Sequence, residues 1–210
     1  MNIYSLKTGP IEVNTYIITG NNKTCVVIDP GSSKEVIELL RARALTCTHI
    51  LLTHGHFDHI LGLKRIKDEF LATVIIQKDD ADALESDRKN LGVFSGFSVE
   101  KCPPDVTFDD NYEFDAAALH FRAIHTPGHS RGSVCYVLDK EKIIFSGDTL
   151  FNLGIGRTDL PGGSEEDILD SITFRLYALP GDFKVFPGHE RETTLEYEKN
   201  NNPYTFRTKL

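Results

Sequence analysis

The sequence predicts an α/β (α+β) fold in which two β-sheets pack on each other and helices cover their outer faces. Three observations predict it: short runs rich in Val, Ile and aromatic residues are grouped in each half of the chain, helical apolar spacing occurs between and after them, and turn sequences separate the first runs. A doubly wound parallel sheet is the competing layout, but the β-meander predicted at the start of the chain argues against it. We expect one domain over residues 1–210, a length that can bury about 70% of the unfolded surface.

The first half of the chain is predicted to open with strands and then to alternate helices with strands. A helix is predicted over residues 33–43, because Ser32 followed by Glu35 is a capping-box signature and the apolar residues after it recur at helical spacing. A second helix is predicted from His59 onward, and a short helix over residues 79–85. The predicted strands are residues 2–6, 15–19, 25–28, 48–53 and 72–77.

The second half is predicted to begin with strands and to end with helices. Ser164, followed by Asp167 at the third position and by acidic residues in the first turn, indicates a helix that reaches about residue 179. A last helix is predicted from about Arg191, and the largest loops at residues 85–104 and 150–163. The predicted strands are residues 119–124, 133–138, 142–145 and 185–186.

Composition and charge exclude several classes of protein. Hydrophobic residues at 40% and charged residues at 26% exclude a disordered or fibrous chain. A formal net charge of −8 without a run of basic residues predicts no nucleic-acid partner and no binding to anionic membranes, and favours a small-molecule or peptide partner. The chain has neither a signal-peptide pattern nor a long uninterrupted apolar window, so we expect a soluble, cytoplasmic protein.

The cysteines support the same location. They form no C-x-x-C pair, so we interpret them as buried thiols in a reducing compartment, with a disulfide as the alternative. The four are Cys25, Cys47, Cys102 and Cys135.

The sequence T-H-G-H-F-D-H at residues 53–59 carries the chemistry. With the His and Asp content of this chain, H-x-H-x-D-H arises by chance in about one such chain in a thousand. In an extended segment His54 and His56 point the same way and can hold one ion, whereas Asp58 and His59 are displaced toward the following helix. One turn can therefore serve two metal ions.

Four positions leave two ions short of ligands, so further donors are expected in other strand-end loops. Each of three donors follows an apolar run and lies in a glycine-containing turn: His129 in T-P-G-H-S, Asp148 in F-S-G-D-T-L-F and His189 in V-F-P-G-H-E. A lone histidine is more often structural, so these positions gain weight from the combination. Asp148 is the natural bridge, because the two oxygens of a carboxylate can contact two ions.

These motifs together resemble the metallo-β-lactamase superfamily, and specifically its glyoxalase-II-like (hydroxyacylglutathione hydrolase-like) branch. The resemblance covers nearly the whole chain and implies an αββα four-layer sandwich. The segments on which the resemblance rests are residues 29–31 (D-P-G), 53–59, 126–130 (T-P-G-H-S), 147–151 (G-D-T-L-F), 156–163 (G-R-T-D-L-P-G-G) and 186–190 (F-P-G-H-E).

The resemblance also implies which residues bind two divalent metal ions. It places His54, His56 and His129 on the first ion, Asp58, His59 and His189 on the second, and Asp148 between them. Zinc is the expected metal, and iron or manganese suits the same nitrogen and oxygen ligands.

The function implied is a dinuclear metal-dependent hydrolase, in which a hydroxide that bridges the metals attacks a thioester or a related small ester. Asp58 is a catalytic candidate, because a carboxylate ligand can also take a proton from water. Arg157 either contacts an anionic substrate as a catalytic and binding residue or fixes its own loop through Asp159, and the sequence weighs the two equally. The oligomeric state stays open.

Two departures from glyoxalase II bear on the substrate. That enzyme has tyrosines where this chain has Asp159 and the pair 190–191, and it continues into a helical domain that binds glutathione. Only 21 residues follow His189 here. We therefore expect a short form without the C-terminal helical domain, and the resemblance does not imply recognition of glutathione.

Several alternatives remain. A persulfide dioxygenase of the same superfamily would hold one iron through His54, His129 and Asp148. The members that we associate with this activity have a cysteine at the position of Ile155, which disfavours this alternative. A lactonase and a non-catalytic metal-binding protein are further alternatives. A zinc β-lactamase is disfavoured, because the usual members have Cys at the position of Asp148 and lack His directly after Asp58.

Some polar and aromatic residues are given structural interpretations. Asp29 is interpreted as a turn residue, with the orientation of a ligand histidine as the lesser alternative. For His49, His120 and His125 we favour strand or surface positions, with His125 also a possible support for a ligand. For Phe94, Phe97 and Phe151 covering the core is favoured over lining a substrate pocket.

Overall fold

Two six-stranded sheets stack on each other in the computed structural model, which describes residues 1–21 and 23–205. The strands of the first sheet are β1 Asn2–Thr8, β2 Val13–Thr19, β3 Thr24–Ile28, β4 Thr46–Leu51, β5 Thr73–Gln77 and β6 Val106–Phe108. They lie side by side in chain order, antiparallel from β1 to β3 and parallel from β3 to β6. The opening meander is confirmed, and a wholly parallel doubly wound sheet is excluded.

The second sheet has the order β14-β13-β10-β9-β8-β7. Its strands are β7 Tyr112–Ala116, β8 Leu119–His125, β9 Val134–Leu138, β10 Ile143–Gly147, β13 Lys184–Pro187 and β14 Thr193–Thr194. Strands β10 and β13 are parallel, and the other pairs are antiparallel. A separate two-stranded hairpin is formed by β11 Leu150–Phe151 and β12 Gly154–Ile155.

The helices lie between and after the strands, as predicted. They are α1 Ser33–Ala42, α2 Phe57–Ile60, α3 Leu63–Phe70, α4 Gly92–Ser95, α5 Glu165–Asp170 and α6 Leu195–Asn201, with a 3₁₀ helix at Lys78–Glu85 and a π-helix at Ser171–Leu176. Ser32 and Ser164 cap α1 and α5 through their hydroxyl groups. No helix among the described residues is both long and apolar enough to cross a membrane.

Alternation along the strands divides the core into layers. On β2, Tyr16 and Ile18 face the second sheet and pack with its Phe145, whereas Ile17 faces the helices α1 and α3. A third apolar cluster joins the outer face of the second sheet to α5 and the π-helix through residues such as Ile172. This helix-sheet-sheet-helix order confirms the αββα four-layer sandwich. The four cysteines are buried and free, so the disulfide alternative does not hold.

The two predicted loops contain elements that the sequence did not predict, namely α4 and the hairpin β11–β12. Three further differences have a physical reason. The helix expected from His59 is two helices, because the chain turns at Gly62, where a Cβ would lie 2.5 Å from the backbone of Ser32. The last helix begins at Leu195 rather than near Arg191, since β14 precedes it. Strands β6 and β7 were not predicted, because β6 has only three residues and β7 interrupts its apolar residues with charged ones.

Candidate metal centre

The seven predicted metal ligands converge at one edge of the sandwich, where strands end. His54, His56, Asp58 and His59 follow β4, and the other three follow β8, β10 and β13. Because β3, β4 and β5 are parallel, the loops after them open on the same edge. The second sheet adds His129, Asp148 and His189 from across the interface between the sheets.

The side chains form overlapping groups whose ligand atoms all lie within 4.8 Å of one another. One group contains His54, His56 and His129, with Nδ1 of His56 2.9 Å from Nε2 of His129. Another contains Asp58, His59 and His189, in which Oδ2 of Asp58 lies 3.3 Å from Nε2 of each histidine. The structure thus brings together both groups of three side chains that the resemblance implies.

Asp148 lies between these groups. Its Oδ2 is 3.6 Å from Nε2 of His129 and 3.7 Å from Nε2 of His189, and its Oδ1 is 3.5 Å from Nε2 of His59. A tetrahedral ion with bonds of about 2.0–2.1 Å separates its ligand atoms by roughly 3.3–3.4 Å. The spacings around Asp148 are close to that value.

Three buried atoms in the cluster have no hydrogen-bond partner among the described residues: Nε2 of His54, Nε2 of His59 and Oδ1 of Asp148. A buried polar atom without a partner costs about 1–3 kcal/mol, so its environment normally supplies one. All three face one another across the cluster as lone-pair donors. The residues therefore fit metal ions, and their role as ligands stays a prediction.

Hydrogen bonds on the far side of the rings set the tautomers of three histidines. Nδ1 of His129 lies 2.9 Å from the carbonyl oxygen of Arg157, which only accepts, so this nitrogen carries the proton. Nδ1 of His59 donates to Asp29, and Nδ1 of His54 donates to the hydroxyl of Thr53, which itself donates to Asp29. Each arrangement turns Nε2 toward the cluster, which is the orientation that a metal ligand needs.

Burial and charge act in opposite directions within the cluster. Burial lowers the pKa of His54 well below its ordinary value and lowers the pKa of His56 to about 3, so both rings are neutral. Burial also opposes protonation of His59, but Asp58, Asp148 and Asp29 outweigh it and raise its pKa to about 10. The carboxylates therefore favour positive charge at Nε2 of His59, and a metal ion bound there would take the place of the proton.

Comparison with known proteins matches this geometry to a family. Residues 8–189 match the Metallo-beta-lactamase superfamily. The chain belongs to the metallo-beta-lactamase superfamily. Relatives of this superfamily chain include the "Probable metallo-hydrolase YqgX" of Bacillus subtilis, 35% identical over 95% of both chains. The "Hydroxyacylglutathione hydrolase GloC" of Haemophilus influenzae is 31% identical over 97% of this chain and 98% of the relative.

Solved structures that are at least 30% identical to this chain have a similar fold. The BLEG-1 B3 metallo-beta-lactamase superposes with a TM-score of 0.93 at 35% identity and covers 97% of this chain and 99% of its own. TTHA1623 in a di-iron-bound form gives 0.83 at 32% identity over 96% and 99% of the two chains. ETHE1 from Myxococcus xanthus gives 0.79 at 30% identity over 97% and 84%.

A cavity of about 990 Å³ opens onto the metal cluster of this superfamily member. Its floor includes Asp58 and Asp148, and its walls include Phe94, Phe97 and Phe151. All three border the cavity, which favours the alternative interpretation of a pocket wall, although Phe97 also covers the core through its contact with Phe57.

Arg157 borders the same cavity but is paired within its own loop. Its Nε and Nη2 donate to the two carboxylate oxygens of Asp159 at 2.8 and 2.7 Å. This pair holds the pKa of Asp159 at about 2. The loop contact expected as one alternative is present, and contact with substrate stays a prediction.

Two supporting aspartates hold the cluster in place, and one of them escaped the sequence analysis. Asp29 accepts hydrogen bonds from Thr53 and His59, so the lesser of its two interpretations is the one that the structure shows. Asp80, which the sequence analysis missed, accepts from the backbone of Gly55 and Gly132 and from the hydroxyl of Ser130. The feature of the sequence that could have identified Asp80 is its position shortly after the predicted strand β5, at the sheet edge where the ligand candidates lie.

The remaining histidines lie outside the cluster. His49 stacks against Phe114, and His120 pairs with Asp115 on the surface. His125 contacts the carbonyl oxygen of Arg131, two residues beyond His129. Strand or surface positions were the favoured interpretation for all three, and the structure confirms it.

Proposed function

We propose that the chain is a dinuclear metal-dependent hydrolase that cleaves a thioester or a related small ester. The observation that carries the proposal is the position of Asp148, whose Oδ2 lies within 3.7 Å of both His129 and His189. A carboxylate between two groups of three donors is the arrangement expected of a two-metal hydrolytic site. Similarity to the relative named hydroxyacylglutathione hydrolase supports the thioester class.

In this proposal His54, His56 and His129 hold one ion, Asp58, His59 and His189 hold the other, and Asp148 is shared. When bound, two divalent ions supply a nucleophile derived from water at neutral pH and polarise the substrate carbonyl. Zinc suits these ligands, and iron or manganese is the alternative, to which the di-iron form of TTHA1623 lends support.

The residues around the cluster complete the proposed chemistry. Asp58 borders the cavity as well as contacting His59 and His189, so its carboxylate is placed to accept a proton from attacking water. Arg157 at the rim suits a small anionic substrate, since a guanidinium binds carboxylates in a fixed geometry. We further propose a cytoplasmic protein with one domain over residues 1–210.

Elemental analysis and a thioester assay test the proposal together. Protein purified without added metal should hold two transition-metal ions per chain and should cleave S-lactoylglutathione or a simple acyl thioester. His54→Ala should lose metal and at least a hundredfold in kcat/KM, whereas His120→Ala, at an exposed histidine, should retain both. A protein that holds one ion at most and cleaves no thioester would refute the proposal.

The mononuclear iron persulfide dioxygenase is the second candidate, and similarity to ETHE1 is compatible with it. It would use His54, His129 and Asp148, of which the last two lie 3.6 Å apart. Oxygen uptake with glutathione persulfide by protein that holds one iron would favour it. A lactone and a chromogenic β-lactam in the same panel test the lactonase alternative and the activity that the name BLEG-1 B3 metallo-beta-lactamase suggests.

A further inference from the structure

The cavity above the metal cluster has an apolar wall that the proposed hydrolysis does not explain. Three separate segments contribute to the wall: the turn between β1 and β2, the segment around α4, and the hairpin β11–β12. Their apolar residues at the cavity include Ile11, Phe94, Phe97, Phe151, Leu153 and Ile155. The floor of the same cavity is formed by ligand candidates, so any molecule on this wall reaches the cluster.

Several of these side chains are large, apolar and open to solvent. Phe94 is 69% exposed, Ile11 is 51% exposed, and Phe97 and Leu153 are partly exposed as well. A cluster of exposed apolar side chains around a cavity costs solvation free energy and marks a binding surface. Phe97 is also fixed in place, because its ring stacks on that of buried Phe57 with 5.2 Å between the centroids.

The hairpin side of the wall is held by a buried carboxylate. Leu153 has a positive φ of 57°, and its backbone N–H donates to Oε2 of Glu198 over 2.9 Å. Glu198 is fully buried on α6, and Asn202 from the same end of the chain donates to the carbonyl oxygen of Gly154. The wall is therefore formed in advance of any ligand, as is typical of small-molecule sites.

A second cavity of about 540 Å³ lies on the other side of His56 and Phe94 and differs in polarity. It is bordered by Arg88 and Arg131, whose guanidinium groups have no ion-pair partner within residues 1–21 and 23–205. Lys89 there is paired with Asp82. His56 of the cluster thus borders both the apolar cavity and the polar cavity, which suits a molecule with one apolar arm and one polar arm.

We propose that the substrates are thioesters with a large apolar acyl group, and this inference rests on the proposed function. The acyl group lies against Phe94 and Phe97 in the larger cavity, and the polar thiol arm extends toward the second cavity. Phe94 and Phe97 then determine specificity through buried apolar area, without contact with the reacting atoms.

A series of acyl thioesters of one polar thiol, from acetyl to decanoyl, tests the inference in the metal-loaded protein. We expect kcat/KM to rise about two- to fourfold per added methylene over the first members of the series. Phe94→Ala should reduce this dependence markedly. Phe174→Ala is the matched control, because Phe174 is 70% exposed but lies outside the cavity.

A second readout separates this inference from the proposed function. Binding of uncleavable S-alkyl thioethers of the same thiol should tighten with alkyl length, and Phe94→Ala but not Phe174→Ala should weaken it. Cleavage of all acyl lengths at equal rates would overturn the inference and leave the proposed function intact. Failure to cleave any thioester, with length-dependent thioether binding retained, would refute the proposed function and support the apolar site. A dimer that buries Phe94, with no thioether binding, would overturn the inference.

Discussion

Oδ2 of Asp29 accepts a hydrogen bond from Nδ1 of His59 over 3.0 Å, and the same oxygen accepts from the hydroxyl of Thr53 over 2.6 Å. Both Asp29 and His59 are buried, and Asp29 directly follows β3. The contact fixes the His59 ring with Nε2 toward Asp58 and Asp148. A residue at the end of one strand therefore orients a ligand candidate supplied by the loop after the next strand.

Asp29→Asn should lower metal affinity about 10- to 100-fold, because the amide NH2 group must oppose either the Nδ1–H of His59 or the backbone N–H of Thr53, and either conflict disturbs the loop that carries the ligand candidates. Chelator competition followed by elemental analysis measures the change. Asp115→Asn is the control, since Asp115 also contacts a histidine nitrogen at 2.9 Å, but on the surface at His120. Equal metal affinities in the two variants would contradict the role assigned to Asp29.

Asp80→Ala should destabilise the protein, because it removes the acceptor of two backbone N–H groups and one hydroxyl in a buried setting. We expect the free energy of unfolding to fall by about 3 kcal/mol in urea denaturation. Asp79→Ala, at the exposed neighbour, should change it by about 0.5 kcal/mol at most. A loss in Asp80→Ala no larger than that in Asp79→Ala would show that the hydrogen bonds of Asp80 contribute little to stability.

The features that could be predicted from the sequence are those with a local pattern. Short runs rich in Val, Ile and Tyr mark β2 and β9, and the spacing within residues 53–59 brings four ligand candidates to one turn. His129, Asp148 and His189 could be nominated because each follows an apolar strand, although their convergence depends on the packing of the two sheets.

The features that escaped prediction depend on contacts between distant segments. Asp80 meets Ser130 and Gly132 across about fifty positions, and no local pattern reports such a contact. The break between α2 and α3 follows from the packing of Gly62 against Ser32 rather than from apolar periodicity. The direction of Phe94 was misjudged because an aromatic residue in a loop has the same sequence pattern whether it covers core or borders a cavity.

Gly188→Ala should impair metal binding although it replaces none of the ligand candidates. A Cβ at this position would lie 2.3 Å from Oδ1 of Asp148 and 2.8 Å from Cε1 of His59, which is closer than nonbonded atoms approach. We expect elemental analysis to show less metal per chain, and the activity to fall with it. Gly154→Ala is the control, because its nearest contact would be an ordinary 3.5 Å. Full metal loading in Gly188→Ala would mean that Asp148 can shift without losing its place between the two groups.

Arg157→Ala should raise KM about tenfold for thioesters that carry a carboxylate, with kcat little changed, if the guanidinium contacts the bound substrate. Asp159→Asn should leave KM equal or lower, since it weakens the competing pair at 2.7 Å and frees Arg157 for substrate. Arg122→Ala is the matched control: Arg122 forms the same two-point contact with Asp139 but lies outside the cavity. An unchanged KM in Arg157→Ala, combined with a loss of stability shared by Asp159→Asn, would assign Arg157 to fixing its own loop alone.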